Sequence, residues 1–503
     1  MYMNDLKRTN YLVNETLIEK NAEQSIDMEM NLPDYCADIS NILQCFAFVN
    51  ITSGTVTEEK IQIDGTILVR ALYLSEGEIY SYEQSESFSK SMECHVSSVG
   101  AVLDLSTTQQ YLNSRAASPR KIEIHGAFVI HAKVSSCKSA GVIESVEPEH
   151  IQIHKDMLSA CTASGNACAS IDINQVIDIG TDKPPIKSII RNTTVAQVVE
   201  TKQVSGKVLV KGELKVKTLY KSESNTVESI ENTLPLSQIL DIEGMNENST
   251  VDIKLRLSAL EVLVKPSALG NMSLLDISAT ARLCACAYNC IDFPVLKDAY
   301  STDFACECTY KEVCVDKIIT TLSKNYMHQF DIDKIADLSS VKDIWCDELT
   351  ASAKLKDENL VVSGTLKTYV LYEDLEGKLG LKSVQNEYTF TENIGNVSNI
   401  KCEPNVIISG TDYLILENGV QIRADMHLDA VVFECVSEKV VDDIAFSDTP
   451  LQKQHSLFIY YAHPGDTLWN IAGKYHTTVK HIMEQNALES EEITAEKPLL
   501  IWG

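Results

Sequence analysis

The chain has 503 residues, 44% of them hydrophobic, and carries a formal net charge of −28 at pH 7. This charge argues against nucleic acids and anionic membrane surfaces as partners, because both are bound by cationic surfaces. No segment approaches the ~20 apolar residues that span a bilayer. Residues 1–32 carry charges throughout and contain no apolar core of a secretory signal. The composition therefore predicts a cytoplasmic protein of several domains.

The first clear pattern places Ile26, Met28 and Met30 on one face, in alternation with polar residues, which predicts a half-buried strand. Apolar residues three apart follow it and predict a short helix. The same spacing recurs in two later places, so that the pairs are Ile39 and Ile42, Ile186 and Ile189, and Val341 and Ile344.

A second pattern occurs three times, at residues 60–73, 207–220 and 359–372. Each copy alternates apolar and polar residues, which predicts a strand, and has a glycine that indicates a bulge or a close backbone approach. The copies are 147 and 152 residues apart, too far for a solenoid repeat of about 20–50 residues. The glycine stands eight residues before a tyrosine in all three: Gly65 and Tyr73, Gly212 and Tyr220, Gly364 and Tyr372.

A further alternating segment ends each unit, at residues 122–130, 275–283 and 420–428. Clusters of Ser, Asn, Gly and Glu between the strand patterns predict turns. We therefore expect a mainly β protein with three repeated antiparallel domains, each sandwich-like or barrel-like and of ordinary domain size. The expected boundaries are 1–160, 161–315 and 316–445.

Residues 456–503 form a fourth unit with a different period. Residues 457–461 predict a strand, and Thr467 can cap a helix with one apolar stripe. Thr478 begins a second helix, and residues 499–502 predict a closing strand. The expected order is β-α-α-β.

This tail resembles a LysM module. The resemblance rests on Tyr461-Ala-His-Pro-Gly-Asp-Thr-Leu-Trp-Asn-Ile-Ala472, followed by Tyr475, Thr478-Val479 and Asn486-Ala-Leu488. The three upstream units resemble SPOCS repeats, through residues 32–43 (Leu-Pro-Asp-Tyr-Cys-Ala-Asp-Ile-Ser-Asn-Ile-Leu), the glycine-to-tyrosine strands and residues 298–301 (Asp-Ala-Tyr-Ser). The combined arrangement resembles the SipL-type spore coat morphogenesis family.

The resemblance implies a non-enzymatic protein. Its LysM domain would bind a SpoIVA-like coat-scaffold ATPase at the forespore surface, on the mother-cell side, so that the spore coat assembles there. The alternative is a LysM module that binds peptidoglycan or N-acetyl glycans, with Asp466 and Thr467 hydrogen-bonding the N-acetyl groups. The family usually has a Pro-Gly pair before its last strand, and this chain has Lys497-Pro498 without the glycine. That difference counts against the glycan alternative.

Trp469 is the predicted partner-binding anchor. It is rotated about 100° from Leu468, away from the inward stripe of the first helix, and large aromatic residues in such places are typical binding anchors. The alternative is that Trp469 packs on the closing strand near Trp502. The remaining residues of the expected partner site follow from the LysM resemblance: Gly465, Asp466, Thr467, Lys497 and Pro498.

Six of the fifteen cysteines fall within 31 residues: Cys284, Cys286, Cys290, Cys306, Cys308 and Cys314. C-x-C pairs could supply a tetrahedral metal site, but residues i and i+2 of a strand merely face the same way, so we expect buried structural cysteines. Without an export signal we expect reduced thiols rather than disulfides. The sequence contains no catalytic motif, and we expect no catalytic residues, cofactor or metal.

Overall fold

The computed structural model describes residues 6–96, 101–147, 151–333, 335, 337–417, 419–451, 457–493 and 496–502. The fold consists almost entirely of antiparallel strands, which confirms the mainly β prediction. The first repeat contains β1 (Leu6–Asn31), β2 (Asn41–Val56), β3 (Lys60–Ser75), β4 (Glu78–Glu93), β5 (Ala101–Ser118) and β6 (Lys121–Val146). Strands β2, β3 and β4 form a meander sheet, and β6 lies between β1 and β5 in a second sheet.

The second repeat has the same strand order. It contains β7 (Ile151–Asp178), β8 (Ile186–Val204), β9 (Lys207–Ser222), β10 (Val227–Asp241), β11 (Thr250–Pro266) and β12 (Met272–Ser301). Its sheets are β8-β9-β10 and β7-β12-β11. The expected boundary at 160–161 falls inside β7.

In the third repeat, two of the corresponding strands are each divided in two. It contains β13 (Phe304–Asp333), β14 (Leu338–Asp347), β15 (Ser352–Lys356), β16 (Asn359–Asp374), β17 (Leu379–Asn393), β18 (Ile400–Cys402), β19 (Asn405–Leu416) and β20 (Gly419–Pro450). Strand β16 pairs with β14, β15 and β17, and β20 pairs with β13, β18 and β19. In each repeat the two sheets enclose a hydrophobic core of their own.

The pattern that occurs three times forms the central strands β3, β9 and β16 of the meander sheets. The predicted close approach at its glycine is confirmed. A Cβ on Gly364 would lie 1.8 Å from the Thr350 carbonyl oxygen, and one on Gly212 would lie 2.8 Å from that of Gln197. Any side chain larger than hydrogen would therefore push the neighbouring strand away.

The predicted short helices are wrong, because their residues lie in the loop before β2 and in strands β2, β8 and β14. A β-bulge produces the apolar spacing of three by placing two residues opposite one on the partner strand. In β8 the register shifts between Ile186 and Ser188 and again between Ile189 and Arg191. Corresponding shifts follow Ile42 in β2 and Val341 in β14.

The longest strands extend beyond the sandwiches as three two-stranded ribbons, β1/β6, β7/β12 and β13/β20. The ribbons pack together around two hydrophobic clusters. Equivalent positions of the three ribbons meet in these clusters, namely Val142, Val295 and Val440 in one and Ile143, Leu296 and Val441 in the other. The three repeats therefore share one stalk.

The meander sheets also meet, around Arg191. Its guanidinium carbon lies 4.7 Å from the ring centroid of Phe46 in the first repeat and 4.7 Å from that of Trp345 in the third. The guanidinium donates from Nη2 to both carboxylate oxygens of Asp347, at 3.1 and 2.8 Å. Only 2% of Arg191 is exposed. Leucines from the same position of each repeat pack nearby: Leu72, Leu219 and Leu371.

A cleft of about 580 Å³ lies between the second and third repeats and includes Asp252 in its wall. Burial raises the pKa of Asp252, and Lys254 opposes the rise. The neighbouring carboxylates Glu403, Asp429 and Asp104 raise this pKa further. Lys254 Nζ lies 3.6 Å from Glu403 Oε2 and 4.0 Å from Asp104 Oδ2, so this lysine lies among carboxylates of all three repeats.

The C-terminal unit has the expected β-α-α-β order. It contains β21 (Leu457–Ala462), α1 (Leu468–Lys474), α2 (Val479–Asn486) and β22 (Lys497–Trp502). Thr467 and Thr478 cap the two helices by accepting from the amides of Asn470 and His481. Its core comprises Ala462, Leu468, Ile471, Ala472, Ile482, Ile493, Leu499 and Ile501. Among the described residues, no helix is long and apolar enough to cross a membrane.

The expectation that the cysteines are all reduced is wrong for four of them. Disulfides join Cys161 to Cys290 and Cys168 to Cys284, each pair directly opposite in the β7/β12 register. The local spacing of Cys284 and Cys290 could not reveal these bonds, because their partners lie 116 and 129 residues earlier in the chain. Within the described chain, no group of His, Cys, Asp and Glu has the arrangement of a metal site.

Candidate functional site

Five of the six predicted partner-site residues come together at one end of the two-stranded sheet of the tail. Pairing of Ala462 with Lys497, and of Tyr461 with Pro498, places the start of β22 beside the turn after β21. This turn contains Gly465, Asp466 and Thr467. Gly465 has a φ of +101°, which favours glycine there. The positive side chain of Lys497 is half-buried, while Gly465, Thr467 and Pro498 are exposed.

The Asp466 carboxylate holds this turn in shape. Its Oδ2 accepts from the His463 amide at 2.9 Å and from the Tyr460 hydroxyl at 3.2 Å. The amide of His463, followed by the smaller effect of the Tyr460 hydroxyl, lowers the pKa of Asp466. Asp466 is therefore an anion whose Oδ2 is already engaged within its own loop.

Thr467 also has a structural role. Its Oγ1 accepts from the Asn470 amide at 3.2 Å as the cap of α1. Its backbone forms an isolated bridge with Glu492, which brings the loop after α2 next to the turn before α1.

Trp469 lies away from this cluster, in a contact between the tail and the second ribbon. Its indole Nε1 donates to Asp298 Oδ2 at 2.8 Å. The indole lies 4.8 Å from the Tyr300 ring in an edge-to-face arrangement and 5.3 Å from the His154 ring, centroid to centroid. Trp469 is half-buried by these contacts. We call the set Trp469, Asp298, Tyr300 and His154 the docking contact.

Two further interactions stabilise the docking contact. The Tyr300 hydroxyl donates to the Thr477 carbonyl at 2.8 Å. A Cβ on Gly473 would lie 3.2 Å from the Tyr300 ring, so glycine at this position lets α1 approach the ring. Burial, reinforced by Asp298, raises the pKa of Tyr300. Tyr300 is thus a neutral hydrogen-bond donor at neutral pH.

Asp298 and Tyr300 belong to the segment 298–301 that carries the SPOCS resemblance. The sequence did not predict which residues they contact. Asp298 Oδ1 accepts from the Tyr310 hydroxyl and from the Ala299 amide, which fixes the carboxylate under the indole. A ribbon of one repeat thus presents an acceptor and an aromatic ring to the tail. Pairing across more than 150 residues could not be read from local spacing.

An apolar surface, not predicted from the sequence, lies on the outer face of the tail sheet. Tyr461 is 70% exposed, Ile459 58% and Trp502 54%. The cross-strand register aligns the members of this surface, which we call the outer sheet face: Leu457, Ile459, Tyr461, Pro498, Leu500 and Trp502. The signal was present, because both faces of Leu457–Ala462 and most of Lys497–Trp502 are apolar. A strand that is apolar on both faces is typical of one covered on both sides.

The family described as the SipL SPOCS domain matches residues 38–108 and 185–265, and the LysM domain matches residues 460–502. Neither a curated protein nor a solved structure matches the chain. The matched SPOCS segments cover the meander sheets of the first two repeats and the strand-order repetition extends to residues 304–450. These matches confirm the predicted SipL-type resemblance.

Proposed function

We propose that this chain, in which SipL-type SPOCS segments precede a LysM domain, is a non-enzymatic scaffold of spore coat assembly. The domain content supports a role in sporulation, and the two domain types are non-catalytic binding domains. In this proposal the LysM domain binds a SpoIVA-like coat ATPase. The complex lies at the forespore surface, on the mother-cell side.

The outer sheet face is the observation that carries the proposal. Contiguous exposed apolar residues, aligned across two strands, are typical of surfaces that another macromolecule covers. Aromatic residues such as Tyr461 and Trp502 supply much of the energy of protein interfaces. The turn containing Asp466, together with Lys497, lies at one end of this face and would provide a polar rim.

Trp469 is the second proposed contact with the partner. Its large apolar ring and its indole N–H fit an anchor that is buried at an interface. We expect Trp469→Glu to abolish the partner complex and to leave the fold intact, because Trp469 is not part of the LysM core. Co-purification would measure the loss of the complex, and circular dichroism would measure whether the fold is intact.

Affinity purification from sporulating cells tests the proposal. The full chain should retain the coat ATPase, and the chain without residues 457–503 should lose it. Ile459→Glu should also lose it, because a charge in the centre of the outer sheet face would have to be desolvated. Leu269→Glu is the matched control, since Leu269 is 87% exposed on a turn of the second repeat. Undiminished ATPase on the Ile459→Glu bait would contradict the proposed surface.

Glycan binding is the second candidate, since LysM modules of other proteins bind glycans. The loop geometry favours it less, because Asp466 Oδ2 and Thr467 Oγ1 already accept hydrogen bonds within their own turns. A pull-down on purified cell wall separates the two candidates. Retention of the wild-type chain on cell wall, and its loss with Asp466→Ala, would favour glycan binding.

A further inference from the structure

We propose that the docking contact is a latch that controls access to Trp469. This inference rests on the proposed function, in which Trp469 contacts the partner. In the docked state the indole N–H is already donated to Asp298, and the ring contacts Tyr300 and His154. A partner can surround the indole only after the LysM domain leaves the second ribbon.

The contact is specific to the second ribbon. Position by position from the shared stalk residues Val142, Val295 and Val440, the equivalents of Tyr300 are Glu147 in the first ribbon and Ala445 in the third. Neither can place an aromatic ring under an indole. The three ribbons are otherwise similar in length and pairing. The docking position thus depends on an aromatic side chain that only the second repeat carries at this place.

The docking contact involves few side chains of the ribbon, which allows it to open. Among the described residues it comprises two hydrogen bonds and two ring contacts to α1 or the loop after it, and Tyr300 also packs against the LysM core. Six residues connect Pro450, the end of β20, to Leu457, the start of β21. Fully extended, they span about 20 Å. When the contact opens, these residues keep the LysM domain covalently attached, so its local concentration at the ribbon stays high.

The outer sheet face belongs to a different side of the LysM domain. It lies on the strands, whereas the docking contact involves α1 and Thr477. A partner can thus make first contact with the outer sheet face in the docked state and reach Trp469 once the latch opens. The apparent affinity for the partner is then reduced by the fraction of molecules that are closed.

Tyr300→Ala tests the latch because it changes the ribbon and leaves the LysM sequence intact. Opening is measured first without a partner. In a Trp502→Phe background, Trp469 and the buried Trp345 are the two remaining tryptophans. Tyr300→Ala should shift the emission to longer wavelength and increase quenching by acrylamide. Tyr300→Phe, which retains the ring and loses the hydroxyl, should give a smaller change, and Tyr413→Ala on the third repeat should give none.

Partner affinity is measured second, by titrating the purified coat ATPase into the full chain with its native Trp502. Tyr300→Ala should bind at least about fivefold more tightly than wild type, the lower end of typical coupling between sites. Unchanged emission in Tyr300→Ala would overturn the latch, even if the partner binds. A shifted emission with unchanged or weaker binding would overturn its regulatory role. Absence of any complex, with the emission shift intact, would overturn the proposed function and the regulation that rests on it.

Discussion

Replacement of Arg191 by alanine should destabilise the junction of the three repeats by at least about 3 kcal/mol. Loss of one member of a buried ion pair costs about 3–5 kcal/mol, because the other charge is left without compensation. The Asp347 side chain is 22% exposed, so water can partly replace the guanidinium, which places the cost at the lower end. Loss of the cation–π contacts to Phe46 and Trp345 adds to it, at about 0.5–1 kcal/mol each or more.

Urea denaturation followed by circular dichroism measures this loss. For a chain of this size the free energy of unfolding falls with urea concentration at the upper end of the usual range, about 3 kcal/mol per molar. The midpoint should therefore fall by at least about 1 M. Arg423→Ala is the matched control, because its partner Asp425 is 41% exposed and such surface pairs contribute less than about 1 kcal/mol. A fall of less than about 0.3 M for Arg191→Ala would refute the reasoning.

The pair Arg191→Met and Asp347→Leu sharpens the test. Arg191 Nη1 is buried and has no hydrogen-bond partner among the described residues. An unsatisfied buried donor costs free energy, so the native ion pair carries a desolvation penalty. Replacing both charges by apolar side chains of similar size should recover most of the stability that Arg191→Ala loses. If the double variant is as unstable as Arg191→Ala, the lost charge is not the cause.

Three further predictions concern the repeats. Gly364→Ala should lower the free energy of unfolding by about 1–3 kcal/mol, because its Cβ would overlap a neighbouring carbonyl. Gly410→Ala in the same repeat is the control, since its Cβ would have its nearest contact at 3.9 Å. Urea denaturation should show a much smaller loss for Gly410→Ala. Asp252→Asn should be more stable than wild type at pH 7. Burial raises the folded-state pKa of Asp252 above its unfolded value of about 3.9, so the stability that it contributes is present below pH 3.9 and is lost as the pH rises through the folded pKa. The advantage of the amide should therefore shrink towards pH 4, and lower stability of Asp252→Asn at pH 7 would contradict this sign. Peptide mapping without reductant should recover two linked pairs, Cys161 with Cys290 and Cys168 with Cys284. Free thiols at these four positions would contradict the pairing.

The sequence was sufficient to predict the strands and the repetition. Alternation is a direct consequence of side chains pointing to opposite faces of a strand, and the glycine of each copy is required by the carbonyl that lies against it. The LysM domain was predictable in detail because its helix caps and its apolar stripe are local. Thr467, Thr478 and the stripe around Ile471 all have the expected roles.

The remaining features depend on contacts between distant residues. A β-bulge gives the same apolar spacing as one helical turn, so Ile186 and Ile189 could not be assigned from their spacing alone. The ribbons require knowledge that β7 continues to pair with β12 after the sandwich ends. For the same reason the sequence could not reveal that Trp469 meets Tyr300, which lies 169 residues earlier.

Differences between equivalent positions determine how the three repeats fit together. Gln44, Arg191 and Asp343 stand opposite the equivalent leucines of their meander sheets, and so occupy the same place in each repeat. One is neutral, one is a cation and one is an anion. Asp343 is buried and pairs with Lys217 of the second repeat, while Arg191 pairs with the third.

Three identical copies could not form these pairs, because an arginine in the place of Asp343 would meet the like charge of Lys217. Complementary charges instead make each repeat fit its own neighbours and disfavour the wrong order, which is a common source of specificity. The same divergence gives only the second ribbon an aromatic residue for the LysM domain. A repeated scaffold can therefore hold a single binding module in one place, provided that its copies differ at the few positions where they meet each other or the module.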